Sequence, residues 1–201
     1  GQSSFAHRRL SILDLSNNAA QPMVDTQHQL SMVFNGEIYN YREIRNDLSN
    51  LGHVFRGNGD TEVLLKSYVE WGDQCVHHLN GMYSFGIYDH KKNIFFAFRD
   101  RLGQKPFFYT VTETSLIFSS ELRPILNHPA VSKQLEPSSI AHFMIYESFP
   151  CSTTPIANIH KLEPGTQLTY SIKDHKIKLT RYWEYRLDGA LSHELSKASD
   201  K

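Results

Sequence analysis

The sequence predicts a layered α+β domain built on antiparallel sheets, and three observations carry that reading. Residues 82–89 and 93–98 alternate or run apolar about a His90-Lys91-Lys92 turn, the pattern of a β-hairpin. A second hairpin pattern spans 165–172 and 176–183 near the far end. No G-x-G-x-x-G, Walker loop, H-E-x-x-H or paired Cys-x-x-Cys is present, so neither a dinucleotide-binding βαβ unit nor a zinc fingerprint competes.

The chain has 201 residues, enough for one good-sized core or one domain plus an appendage. Lys+Arg and Asp+Glu both number 21, so no net field favours nucleic acid or an anionic membrane. Hydrophobic residues make up 40% and the mean hydropathy is −0.44, the balance of a soluble globular chain. No apolar run has the length of a membrane span, and no signal-like segment opens the sequence. Two cysteines in a chain of this length argue against a disulfide scaffold and for a reducing compartment, hence a cytoplasmic expectation.

Taken in order, residues 5–13 read as a strand closed by Asp14-Leu15-Ser16-Asn17-Asn18. A polar turn at 25–29 leads into the apolar run Met32-Val33-Phe34. Asn35-Gly36 is read as a sharp corner there, since Asn tolerates and Gly permits a left-handed backbone. Asn40 is placed to cap a helix running to about Leu51, with Glu43 in a capping-box position and Gly52 as the stop. From Thr61 the spacing is helical again, with Val63, Leu64, Ser67, Tyr68 and Trp71 on one face, Asp60 at the N-cap and Gly72 at the end. Beyond the central hairpin, strands are expected at 106–109 and 115–118. Helices are expected from Ser120 to about Leu126 and from Pro137, the latter with Ile140, Phe143 and Met144 inward.

The stretch 30–41 organises the rest, because it brings an amide side chain, a bare backbone N–H and the Glu37 carboxylate within three positions. Asn-Gly is a common turn and needs no function. It can equally aim Asn35 and the Gly36 N–H at one oxyanion, because glycine lets a substrate approach the backbone. Spacing alone leaves both readings open.

Several corners taken together carry a resemblance. His7-Arg8-Arg9-Leu10-Ser11-Ile12, Asn35-Gly36-Glu37-Ile38-Tyr39-Asn40, Gly59-Asp60-Thr61-Glu62-Val63, Asn80-Gly81-Met82, Arg99-Asp100-x-x-Gly103-x-Lys105-Pro106 and Ser120-Glu121-Leu122 occur in order. The chain resembles, over roughly residues 6–183, the glutaminase domain of glutamine-hydrolysing asparagine synthetases, class II glutamine amidotransferases of the N-terminal-nucleophile hydrolase fold. The resemblance implies an αββα sandwich, two antiparallel sheets between helical layers. It implies domain bounds of 1–183, with 184–201 a linker or the start of a synthetase domain. The implied chemistry takes an amide nitrogen from L-glutamine: an N-terminal cysteine attacks the side-chain carbonyl, giving a thioester and ammonia, and water then releases glutamate. An α-amino group, with a pKa of about 7.7–8.0, can serve there as the base.

Carried over by the resemblance, Arg9 would hold the glutamine α-carboxylate in its guanidinium fork and Asp60 would take the α-ammonium. Asn35 and the Gly36 N–H would form the oxyanion hole. Glu37 and the backbone of Leu10, Ser11, Ile12 and Leu13 would complete the pocket. Arg99 and Asp100 read instead as an internal ion pair ordering a loop. Cys75, although near His77 and His78, reads as a small core residue.

The resemblance places its nucleophile on a strand upstream of the part aligned with His7, and the sequence as written opens at Gly1 without it. The expectation is therefore an N-terminally truncated glutaminase domain, inactive by itself, with no cofactor or metal of its own. ATP and Mg²⁺ are expected on a separate C-terminal synthetase domain of the same protein, which would receive the ammonia. Two alternatives stay open: an amidotransferase serving another acid, and a nucleophile-less module that binds glutamine or docks a synthetase. A homodimer is left open; nucleic acid and membrane are not expected partners.

Overall fold

The computed structural model describes residues 3–8, 19–150 and 152–185. Its strands are β1 (Met23–Asp25), β2 (Leu30–Ile38), β3 (Gly81–Asp89), β4 (Ile94–Arg99), β5 (Phe108–Val111), β6 (Leu116–Ser119), β7 (His160–Lys161), β8 (Thr166–Ser171) and β9 (Lys176–Arg181). The helices are α1 (Tyr41–Asn50), α2 (Asp60–Trp71), α3 (Leu122–Leu126) and α4 (Pro137–Tyr146), with a 3₁₀ turn over Gly72–His77. All strand pairs are antiparallel. One sheet has the order β1-β2-β3-β4-β8-β9 and the other β6-β5-β7.

Three apolar clusters mark the layer boundaries of an αββα sandwich. On the helical face of the large sheet, Met32 and Phe34 of β2, Phe85 and Ile87 of β3 and Phe96 and Phe98 of β4 pack against Leu48 of α1 and Val63, Leu64 and Tyr68 of α2. Strand alternation puts Tyr88, Phe95, Ala97 and Leu168 on the other face, where they meet Phe107, Tyr109 and Phe118. On the outer face of the small sheet, Ile125 of α3 joins Phe108 and Ile117. The central strands β3 and β4 thus bury both faces, which is why 94–98 runs apolar rather than alternating, while the edge strand β9 is exposed along its length.

Both predicted hairpins form, and α1 and α2 end where expected, on Gly52 at φ 95° and Gly72 at φ 58°. Four local expectations are corrected. Asn40 makes no capping bond; its side chain bridges to the His78 carbonyl (2.9 Å) and the Asn80 amide (2.9 Å), tying the α1 entrance to the approach to β3. Gly59, not Asp60, is the α2 cap position, and Asp60 is the first helical residue. Residues 5–8 form no strand; Phe5 instead inserts its ring beside Phe95 and Phe118, with centroids 5.9 and 5.7 Å away. In α4, Phe143 and Met144 face solvent and Ser139 is the residue that is buried.

Candidate active site

The site begins where β2 runs past its neighbour β1. The expected corner at Asn35-Gly36 does not form: β2 stays paired with β3 to its end, Asn35 opposite Ser84, Gly36 opposite Tyr83 and Ile38 opposite Gly81. The turn falls on Tyr39-Asn40. The glycine is needed for close approach instead. A Cβ on Gly36 would stand 2.1 Å from the Met82 carbonyl oxygen, and one on Gly81 would stand 2.1 Å from that of Glu37. Two glycines on facing strands therefore let the backbones close on each other, with Gly36 at φ 151°.

Strand parity then decides where the amides point. Tyr39 donates to the Asn80 oxygen at 2.7 Å, so in this register the odd positions bond to β3 and the even ones turn their N–H to the opposite edge. β1 covers that edge only as far as Met32. Beyond it, the Phe34 N–H is taken by Gln21 Oε1 at 2.6 Å and the Ile38 N–H by Asp60 Oδ2 at 3.0 Å. Between them, the Gly36 N–H has no acceptor among the described residues. Asn35 is half-buried on the face turned toward the small sheet, and its amide nitrogen likewise donates to no described residue. Among the described residues, two adjacent donors are left available at one strand end.

Asp60 lies 6% exposed at the start of α2. Burial pushes its carboxyl above the usual range; the amides of Ile38, Asp60 and Thr61 pull it back, and the charge of half-buried Glu37 pushes it up again. No ion pair joins Asp60 to a described basic residue. The result is a buried acid, beside a second carboxylate, whose charged form would be stabilised by an incoming cation.

The loop after β4 braces this strand end from behind. Asp100, fully buried, accepts from the amides of Tyr83 (3.2 Å), Leu102 (3.1 Å), Gln104 (3.0 Å) and Lys105 (3.0 Å), and its own amide donates to the Tyr83 oxygen (2.8 Å). Arg99 donates to the carbonyls of Lys105, Leu162 and Gly103. The loop is ordered as expected, but through bonds from each charged group to backbone rather than through a pair between them. Ser84, opposite Asn35, donates its hydroxyl to the Pro106 carbonyl at 2.9 Å. Both residues facing Asn35-Gly36 are thus held by this loop. The Arg99-Asp100 motif was visible in the sequence; its grip on Tyr83 was not.

Arg9, Leu10, Ser11, Ile12, Leu13 and Cys151 lie outside the described residues, so Asn35, Gly36, Glu37 and Asp60 are the expected site residues that the structure brings together. Cys75 sits in the 3₁₀ turn after α2, wholly buried, its thiol pushed far up by burial and then by the nearby Asp73 charge. That is an inert core thiol. Recesses of about 440 and 540 Å³ lie elsewhere, one beside β5 and one over β8 and β9, and neither is lined by these four residues. No group of three potential metal ligands occurs among the described residues, and no helix there is long and apolar enough to cross a membrane.

Comparison with known proteins places this αββα sandwich in a family of glutamine-handling domains. Residues 1–183 match the family model described as glutamine amidotransferase domain, and the chain belongs to that family. It is 40% identical over 182 residues to asparagine synthetase [glutamine-hydrolyzing] 3 of Bacillus subtilis, covering 89% of this chain and 29% of the relative. It is 36% identical over 196 residues to putative asparagine synthetase [glutamine-hydrolyzing] 2 of Methanocaldococcus jannaschii, covering 90% and 38%. It is also 30% identical over 191 residues to amidase chyE of Penicillium rubens, covering 94% and 27%. Among solved structures, the B. subtilis glutamine phosphoribosylpyrophosphate amidotransferase complexed with ADP and GMP shares the fold at a TM-score of 0.60. The identity is 18%, over 89% of this chain and 34% of that one. The chain spans less than two fifths of the length of the curated relatives it matches.

Proposed function

We propose that this domain supplies ammonia from L-glutamine to an ATP-dependent step that amidates aspartate, as the glutaminase part of an asparagine synthetase. The observation that carries the reading is the pair of donors at Asn35 and Gly36, which have no acceptor among the described residues. Hydrolysis of a side-chain amide passes through a tetrahedral oxyanion, and preorganised donors aimed at that oxygen stabilise the transition state more than the ground state. Asp60, with Glu37 beside it, would receive the glutamine ammonium, and Arg9 its carboxylate. In this reading the nucleophile is a cysteine at a mature N-terminus. ATP and Mg²⁺ act on the synthetase portion, and 184–201 link the two. A cytoplasmic location is part of the same proposal.

The test is Asn35→Ala in the enzyme that carries its nucleophile. We expect glutaminase kcat to fall by about 10²–10³ with ammonia-dependent synthesis retained, since free ammonia bypasses this site. A fall under threefold would make Asn35 a strand residue without catalytic weight. The reading also holds that Cys75 forms no glutamyl thioester, because it is buried with its thiol protonated. Mass spectrometry after incubation with glutamine checks this, and an adduct on Cys75 would overturn it.

A further inference from the structure

α4 breaks the rule the other helices obey. Its sequence, Pro137 to Tyr146, contains no Asp, Glu, Lys or Arg. A helix apolar on every side is normally buried, whereas one facing water carries charge, as α1 does with Arg42, Glu43, Arg45 and Asp47 around its buried Ile44 and Leu48. Yet Met144, Ile145 and Tyr146 are 77%, 71% and 64% exposed, and Phe143 41%. Four consecutive residues cover most of a turn, so the last turn of α4 presents a contiguous apolar surface on its exposed side. Phe143 stacks on Phe149 at 4.8 Å, which holds the turn in place without covering it. Isolated exposed apolar residues need no explanation; a contiguous uncharged projection does.

We infer that the C-terminal turn of α4 is the docking surface for the synthetase portion of the parent polypeptide, an inference that rests on the function proposed above. Three arguments select this occupant. The glutamine-hydrolysing relatives devote 62–76% of their length to chain beyond the matched region, so a large covalent neighbour accompanies this domain in them. Surfaces that stay covered for the life of a protein are the ones that dispense with charge; transient ones keep a polar character. The proposed chemistry also requires such a contact. Ammonia released to water at neutral pH takes up a proton and loses the lone pair with which it attacks, so the two halves must meet over a dry surface. At ten residues α4 is too short to span a bilayer.

The experiment uses the whole translated protein with single substitutions Met144→Cys and Ile145→Cys, and Val54→Cys as a reference at an 81%-exposed position between α1 and α2. Maleimide labelling at each site is followed by peptide mass spectrometry. We expect the two α4 cysteines to label at least tenfold more slowly than position 54, independently of protein concentration. Labelling at the rate of position 54 overturns the inference, and so does protection that disappears on dilution, which would make the occupant a second copy. In Ile145→Asp, glutamine consumed per amide formed should rise several-fold while ammonia-supported synthesis persists; an unchanged ratio counts against docking. If the unsubstituted protein makes no aspartate amide even from ammonia, the proposed function fails. The labelling result still reports whether the surface is covered.

Discussion

Asp60 and Asp100 are both buried carboxylates within reach of the same strand end, and the protein uses them in opposite ways. Asp100 accepts from four backbone amides, two on each oxygen, so its bonding capacity is committed to the 99–106 loop and to Tyr83. Asp60 takes the Ile38 amide and the first amides of its own helix, has Glu37 as a charged neighbour, and its carboxyl is pushed up by burial. A saturated buried charge is a structural element; an undersaturated one is a binding element waiting for its counter-ion. The difference teaches that burial of an acid does not by itself mark a functional residue. The unmet part of its charge does.

The largest expected effect is on the structural member. Asp100→Asn replaces one accepting oxygen by an NH₂ group facing two backbone donors, leaving buried amides unsatisfied. We expect a loss of about 3–5 kcal/mol in stability, seen as a lowered denaturant midpoint. A loss under 1 kcal/mol would mean the loop is held by Arg99 alone and the contrast is false.

Asp60→Asn should act in two opposed directions. Glutamine affinity should fall about 10–100-fold, the scale of one charge-assisted contact, as calorimetry would report. Stability at neutral pH should rise by a smaller amount. The sign follows from linkage: with the folded pKa above the unfolded one, the folded state binds more protons, so stability contributed by Asp60 is lost as pH rises from the unfolded value through the folded one. Removing the charge recovers that loss at pH 7 and changes little in acid. A variant destabilised at pH 7 would place Asp60 with Asp100 as a structural group. Such an exchange of stability for a site is the usual direction of the trade-off.

How much of this was legible in the sequence depends on how far apart the determinants lie. The hairpins and the glycine stops of α1 and α2 are local, and periodicity finds them. Asn35-Gly36 was legible as a motif but misread as a corner, because the reason for its glycine is Gly81 on the facing strand. Asp60 read as a cap for a similar reason: its acceptor role is toward Ile38, 22 residues earlier. α4 has a helical apolar period that mimics a core stripe, and a period cannot say whether the covering surface lies within the same domain. The free Gly36 amide is legible only once strand register and the end of β1 are both known.

The central claim is that Asp60 is held ready for a cation at the Asn35-Gly36 strand end, and glutamine affinity as a function of pH tests it most directly. The measurement uses the whole translated protein with its proposed nucleophile replaced by alanine, so that glutamine binds without turnover, between pH 7 and 4, where the ligand ammonium keeps its charge. Binding favours ionised Asp60. Affinity should therefore fall as pH drops through the raised pKa of Asp60, approaching a tenfold loss per pH unit, and Asp60→Asn should flatten the profile. An affinity that stays constant across this range with Asp60 in place, or an equal slope in Asp60→Asn, would contradict the account.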